Sequence, residues 1–210
     1  MQQNTDVKRR RGRPPKAEAG YSETRVELIR AGMAILTERG LAATGIDQIL
    51  RSVQVPKGSF YHYFASKEQY GIELVEQYSA YLNAKLQRFL TDSSLPPLAR
   101  LVAYMRDAEQ SMQKYGFARG CLVGNLGQEI GQLPEAFRSV LLSALDEWQL
   151  LVEACLREAS ERGELRRESD CKQLAYVFWN AWEGAVLRAK LERSVTPLRA
   201  FSQFFIRSIS

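Results

Sequence analysis

From about residue 22 onward, apolar residues return at every third or fourth position, and nowhere do they alternate long enough to make a convincing strand. That spacing restricts the chain to one class, a nearly all-α fold whose helices are punctuated by proline and glycine. Residues 22–39 place Val26, Ile29, Met33 and Leu36 on one stripe that runs out at Gly40, a residue type suited to the left-handed C′ position. In "TGID", Thr44 stands as an N-cap with Asp47 three residues on, and Ile46, Ile49, Leu50 and Val53 supply the apolar face of a two-turn helix. Pro56 opens another short helix running to about Phe64, since its missing N–H costs nothing at a helix start. Ser66 and Gln69 form a capping box ahead of a long helix over 67–90 that carries Leu74, Tyr78, Leu82, Leu86 and Leu90. "TDSSLPP" ends it. Further helices are expected at 97–115, 134–162 and 170–192, with a shorter piece at 121–130. The last begins at Thr196-Pro197 and aligns Leu198, Phe201, Phe205 and Ile209.

Charge is placed unevenly. The net charge is +5, and residues 1–20 hold Lys8, Arg9, Arg10, Arg11, Arg13 and Lys16 against only Asp6 and Glu18, so the rest is close to neutral. A basic block ahead of a neutral body suits a polyanion, because cationic side chains that meet phosphate release counterions whatever the base sequence. Within the block, Arg11-Gly12-Arg13-Pro14 has the shape of an AT-hook, in which an extended Gly-Arg-Pro core enters a narrow A·T minor groove. No apolar run follows the basic residues, so no secretory signal is expected, and no segment is long enough to span a bilayer. Three widely spaced cysteines, Cys121, Cys155 and Cys171, suit a reducing compartment. A cytoplasmic protein is the expectation.

The segment "PKGSFYHYFASKEQY" (56–70) carries most of the functional signal. At 100° per residue, Phe60, Tyr63 and Phe64 point inward and anchor a helix too short to be stable alone. Gly58, Ser59, Tyr61 and His62 point outward, small at the front and hydrogen-bonding throughout. Three short helices with the third presenting such a face make the helix-turn-helix plan, whose second element enters the major groove. Lys57, Ser59 and Tyr61 are the expected base readers. Lys57, Lys67, His62 and the first N–H groups of the second helix near Thr44 are the expected phosphate contacts, and Arg11 and Arg13 reach the minor groove.

The run "TGIDQILRSVQVPKGSFYHYFASKEQY" resembles the DNA-binding domain of the TetR family of bacterial repressors, over about residues 22–72. The resemblance implies an all-α homodimer, a variable C-terminal ligand domain and release of double-stranded operator DNA when a small-molecule effector binds. It divides the chain into an arm (1–20), a helix-turn-helix domain (21–66) and a helical ligand-binding and dimerisation domain (67–210).

In the C-terminal part, "LAYVFWNAWEGAVLRAKL" (174–191) is apolar around nearly its whole circumference, as only a helix covered on several sides can be. With the Phe-rich last helix it suits a two-fold four-helix interface, and a two-fold dimer requires a palindromic operator. "FARGCLVGNLGQEIG" (117–131) is broken by Gly124, Gly127 and Gly131, each costing about 1 kcal/mol in a helix, where a ligand or a second helix can come close. The 117–131 segment together with "WEGAVLRAKLERSVTPL" (182–198) resembles the branch of the family that responds to reactive or unsaturated small molecules, acrylate among them. Cys121 is the candidate nucleophile, with Lys190 as the cation that lowers its pKa. Arg188 or Lys190 is the partner of a ligand carboxylate, Tyr104, Trp148, Trp179 and Trp182 are the pocket walls, and Asn125 and Glu183 complete the set. A core role is the plainer alternative for the cysteine and the tryptophans.

One histidine, no metal-ligand cluster, no P-loop and no nucleophile motif argue against an enzyme and against a bound cofactor. The competing binding class is an architectural DNA protein that uses arm and helices with no ligand switch. It would coat A·T-rich DNA broadly, whereas a repressor protects one palindrome.

Overall fold

The computed structural model describes residues 18–166 and 168–210. Arg11 and Arg13, and with them the AT-hook reading, lie outside the described residues. Nine α-helices follow one another: α1 (Glu18–Arg39), α2 (Ile46–Ser52), α3 (Phe60–Tyr63), α4 (Lys67–Leu90), α5 (Pro97–Lys114), α6 (Leu122–Gln128), α7 (Ala136–Glu161), α8 (Cys171–Glu192) and α9 (Thr196–Ile209), with no strand among the described residues. The all-α expectation holds, with helix ends within a few residues of those read from periodicity.

Caps explain several of these ends. Gly40 closes α1 at φ +77°, where a side chain would be strained. Ser66 accepts the Gln69 N–H at 3.0 Å, and Gln69 Oε1 accepts the Ala65 N–H at 2.8 Å, so the expected box forms with its return bond one residue early. Three details differ from the sequence reading. Thr44 does not cap α2: its hydroxyl donates to Gly40 O at 2.6 Å and its N–H to Leu41 O, so Gly45 takes the cap position without a side-chain bond. The third helix is a 3₁₀ turn (Lys57–Ser59) leading into a single α turn. Val26 is exposed, and Leu28 takes the inward place, its carbonyl accepting the Tyr70 hydroxyl of α4 at 2.5 Å.

The first three helices gather on the start of α4. Phe60 meets Phe64 and Tyr70 with ring centroids 5.4 Å apart, and Phe64 meets Tyr70 at 4.6 Å. All three are buried. This cluster supplies the packing that a single α turn lacks. Beyond it, α7 packs on α4 and α8, α5 lies against α4, α7 and α9, and α6 bridges α1 and α7. Arg100, almost wholly buried, binds Glu158 at 2.6 Å and donates to Leu90 O and Leu95 O, tying the α4–α5 turn to α7. No helix among the described residues is long and apolar enough to cross a membrane.

Candidate functional site

The outer face of the 3₁₀ turn and α3 is open. Gly58 is exposed with nothing within 4 Å of a Cβ built upon it, and Tyr61, edge-on to Phe60, is 66 % exposed. His62 is exposed and Ser59 half-buried. Lys57 is exposed and pairs with Asp47 of α2 at 2.9 Å, a surface bond that water and salt weaken readily. Lys67 donates to Leu41 O at 3.1 Å, which fixes it against the end of α1. Thr44 is the exception in the expected set: its side chain is buried and its hydroxyl and N–H are both spent inside the turn, so it presents no group to phosphate.

A cavity of about 350 Å³ opens on the other side of α1. Met33, Ala34 and Thr37 of α1, Tyr78 of α4, Tyr104 and Met112 of α5, Cys121 at the cap of α6, and Trp179, Trp182, Glu183 and Val186 of α8 all line it. Of the expected ligand residues, it therefore brings together Tyr104, Cys121, Trp179, Trp182 and Glu183. The Tyr104 ring lies 6.4 Å from Trp179 and 6.3 Å from Trp182, an aromatic wall. The indole N–H groups of Trp179 and Trp148 are both buried and find no acceptor among the described residues.

Four expected ligand residues stand elsewhere. Trp148 is fully buried behind the wall, 5.3 Å from Trp179, as core. Arg188 is exposed and binds Glu192 one turn on, because α8 turns that side outward. Asn125 donates to Thr37 O at 2.8 Å and Leu36 O at 3.2 Å, and Lys190 donates to Thr37 O and Glu38 O at 3.3 and 3.5 Å. Both are consumed in capping the last turn of α1, whose carbonyls would otherwise be orphaned. Lys190 is thus not the cation of Cys121. Burial lowers its pKa, while burial and then the Glu183 carboxylate push the Cys121 thiol well above its ordinary value. The cations of the cavity are instead Arg30, Lys85 and Arg119. Lys85 is bound to Asp107, while Arg119 is bound to Glu38 at 3.0 Å and stacked 4.1 Å over Tyr115.

Glu129, absent from the sequence expectations, ties the two halves of the molecule. Its Oε2 accepts the N–H groups of Leu41 at 2.9 Å and Ala42 at 3.0 Å, in the turn between α1 and α2. Together, Glu129 and Asn125 on the α6 side and Lys190 on α8 clamp the end of α1 to the body that holds the cavity. An acid eighty-eight residues from its partner leaves no local signal.

A model of the bacterial regulatory proteins of the tetR family matches residues 28–69, and one of the tetracyclin repressor-like C-terminal domain matches residues 97–205. The chain belongs to the TetR family. It is 49 % identical to the transcriptional regulator AcuR of Cereibacter sphaeroides over 200 residues, spanning 95 % of this chain and 91 % of that one. With the HTH-type transcriptional repressor NemR of Escherichia coli K12 it shares 34 % over 183 residues, 84 % and 88 % of the two chains. Among solved structures, the regulatory protein TetR from Rhodobacter sphaeroides superposes with a TM-score of 0.86 at 49 % identity over 88 % of this chain and 98 % of that one. The reduced form of E. coli NemR does so with 0.82 at 30 %, over 90 % and 97 %. The face on α3 and the cavity behind α1 thus sit in a TetR-family helix-turn-helix regulator.

Proposed function

We propose that the protein is a ligand-responsive repressor that binds a palindromic operator as a homodimer and lets go when a small molecule fills the cavity. One observation carries this reading. The cavity shares α1 with the DNA-reading domain, so a ligand displacing Met33, Ala34 or Thr37 moves the same helix whose last turn is clamped by Asn125, Lys190 and Glu129. A volume of about 350 Å³ suits a ligand at the small end of ordinary binding sites.

In this reading Lys57, Ser59 and Tyr61 meet base edges, and His62 and Lys67 meet phosphate. Gly58 lets the backbone approach, and Arg11 and Arg13 enter the adjoining minor groove. The arm, the helix-turn-helix and the ligand-binding body divide at residues 20 and 66. Dimerisation uses α8 and α9: the single chain leaves Val177, Leu187 and Leu191 exposed along α8 and Phe204 exposed on α9, an apolar surface that a second copy would cover.

The effector is acrylate or a related short unsaturated carboxylate or electrophile. The resemblance of the 117–131 and 182–198 segments to the family branch answering such molecules supports it, as does the thiol in the cavity wall. Covalent capture by Cys121 is the second reading, favoured because Cys121 alone of the three cysteines lines the cavity. A gel shift on the DNA upstream of the protein's own gene, titrated with acrylate, its saturated counterpart propionate and acrylamide, tests both. Release by acrylate but not propionate supports the effector class, and no release by any of the three removes it. Cys121→Ser should lose the response to acrylamide and keep operator binding; a full response in the variant removes the covalent reading.

A further inference from the structure

Cys121, Glu183 and Tyr78 converge at one end of the cavity from three different helices. Cys121 Sγ accepts the Gly124 N–H at 3.4 Å, and the Glu183 carboxyl lies over the same Gly124, with Tyr78 lining the cavity beside them. Glycine at 124 makes the meeting possible, since a Cβ there would stand 2.1 Å from Glu183 Oε2. Glu183 makes no ion pair among the described residues. The groups around it are the thiol from α6, the phenols of Tyr78 on α4 and Tyr104 on α5, and no cation of its own helix, because Lys190 is turned to the carbonyls of α1. An acid without a cation, placed against a thiol in a ligand cavity, has no structural task that an amide would not perform.

We propose that Glu183 is the base that activates Cys121 for addition to an electron-poor alkene held in the cavity. As the sulfur–carbon bond forms at the β-carbon and the carbon–carbon double bond gives its electron pair to the activating group, the S–H proton passes to the Glu183 carboxylate. The same proton then returns to the α-carbon. The alkene gains sulfur and hydrogen, the carboxylate is restored, and no further reactant is consumed. This rests on the reading that Cys121 is the reacting thiol, and it answers the difficulty which that reading meets. Burial and the neighbouring carboxylate keep Cys121 a thiol at neutral pH, so a route through free thiolate is closed. Burial also pushes Glu183 up to about 7, where it is half ionised near neutrality and suited to take a proton during reaction.

The test follows alkylation of Cys121 in the full-length protein by site-resolved mass spectrometry, with acrylamide because its charge does not vary with pH. Wild type should show a rate that rises through an inflection near 7 and levels off above it. Glu183→Gln should react about 100-fold more slowly at neutral pH and lose the inflection. Glu183→Asp should retain the inflection at a reduced rate, which a merely space-filling role would not predict. Cys155 and Cys171 report any loosening of the fold, and their labelling should be the same in all three proteins. Glu183→Gln labelled at the wild-type rate, or a wild-type rate climbing about tenfold per pH unit with no inflection, overturns the role of Glu183 while leaving Cys121 as the reacting thiol. Failure of wild-type Cys121 to label while acrylamide still releases DNA overturns the covalent reading itself, and Glu183 with it.

Discussion

Replacing Glu129 by alanine would test the joint between DNA-reading and ligand-holding parts most directly. The carboxylate accepts two backbone N–H groups, Leu41 at 2.9 Å and Ala42 at 3.0 Å, the first part-buried and the second exposed. A hydrogen bond to a charged acceptor contributes about 1.5–3 kcal/mol when shielded and less when wet, which puts the loss near 3 kcal/mol. Water cannot fully replace the bond at Leu41, because Glu129 also packs on Gly40, where a Cβ would come within 1.8 Å of Oε1. For a chain of this size that loss lowers the melting temperature by about 6–12 °C. Glu129→Gln keeps one oxygen acceptor but no charge, so about half the loss is expected. Thermal melts followed by circular dichroism at neutral pH read both values. If Glu129→Ala melts within about 1 °C of wild type, the bonds are worth under half a kcal/mol and the joint is held by something else.

Gly58→Leu should fold normally, since open space surrounds the Cα, but should lose operator binding by about tenfold or more as the added side chain holds the backbone off the groove. A titration with normal affinity would remove α3 from the DNA interface. Deleting residues 1–16 should weaken operator binding and reduce the slope of log K against log salt by about 0.9 for each of the arm's cations that meets a phosphate; identical affinities at two salt concentrations would refute the arm. The pH dependence of stability should carry the signature of Glu183. Its folded pKa, about 7, lies above the ordinary carboxylate value, so the native state holds the extra proton between the two and stability falls as pH rises through that window. Denaturant melts should show wild type losing stability relative to Glu183→Gln between mildly acidic and slightly alkaline pH, and parallel curves would count against the raised pKa of Glu183.

The helices and the exposed side of α3 were legible because their causes are local. Spacing of three and four fixed the stripes, Gly40 and Ser66 fixed ends, and stepping around a helix from Phe60 separated Gly58, Tyr61 and His62 from the core without tertiary information. Thr44 misled because a hydroxyl before a helix can bond forward to the first turn or back to the turn behind it, and only the path after Gly40 decides. The lining of the cavity was half legible. Trp148 and Trp179 both sit at helical spacing in apolar stripes, and their difference, one behind the wall and one in it, comes from how α7 and α8 cross. Lys190 and Asn125 were read as ligand contacts because the alternative, the carbonyls of α1, lies far away in the chain. Glu129 carried no mark at all. Glu183 did carry one, as the lone charge in the largely apolar run "FWNAWEGAVL".

The Phe60, Phe64 and Tyr70 cluster bears on how the regulator can be rebuilt. The single turn of α3 takes its orientation from α4, not from its own backbone, so a hybrid that borrows the proposed DNA-reading face must carry α4 past Tyr70 and Leu74 before the splice. The recipient sensor must also offer a carboxylate and an amide where Glu129 and Asn125 now stand. Grafts cut at the loop before Lys67 would leave the borrowed head without its keel.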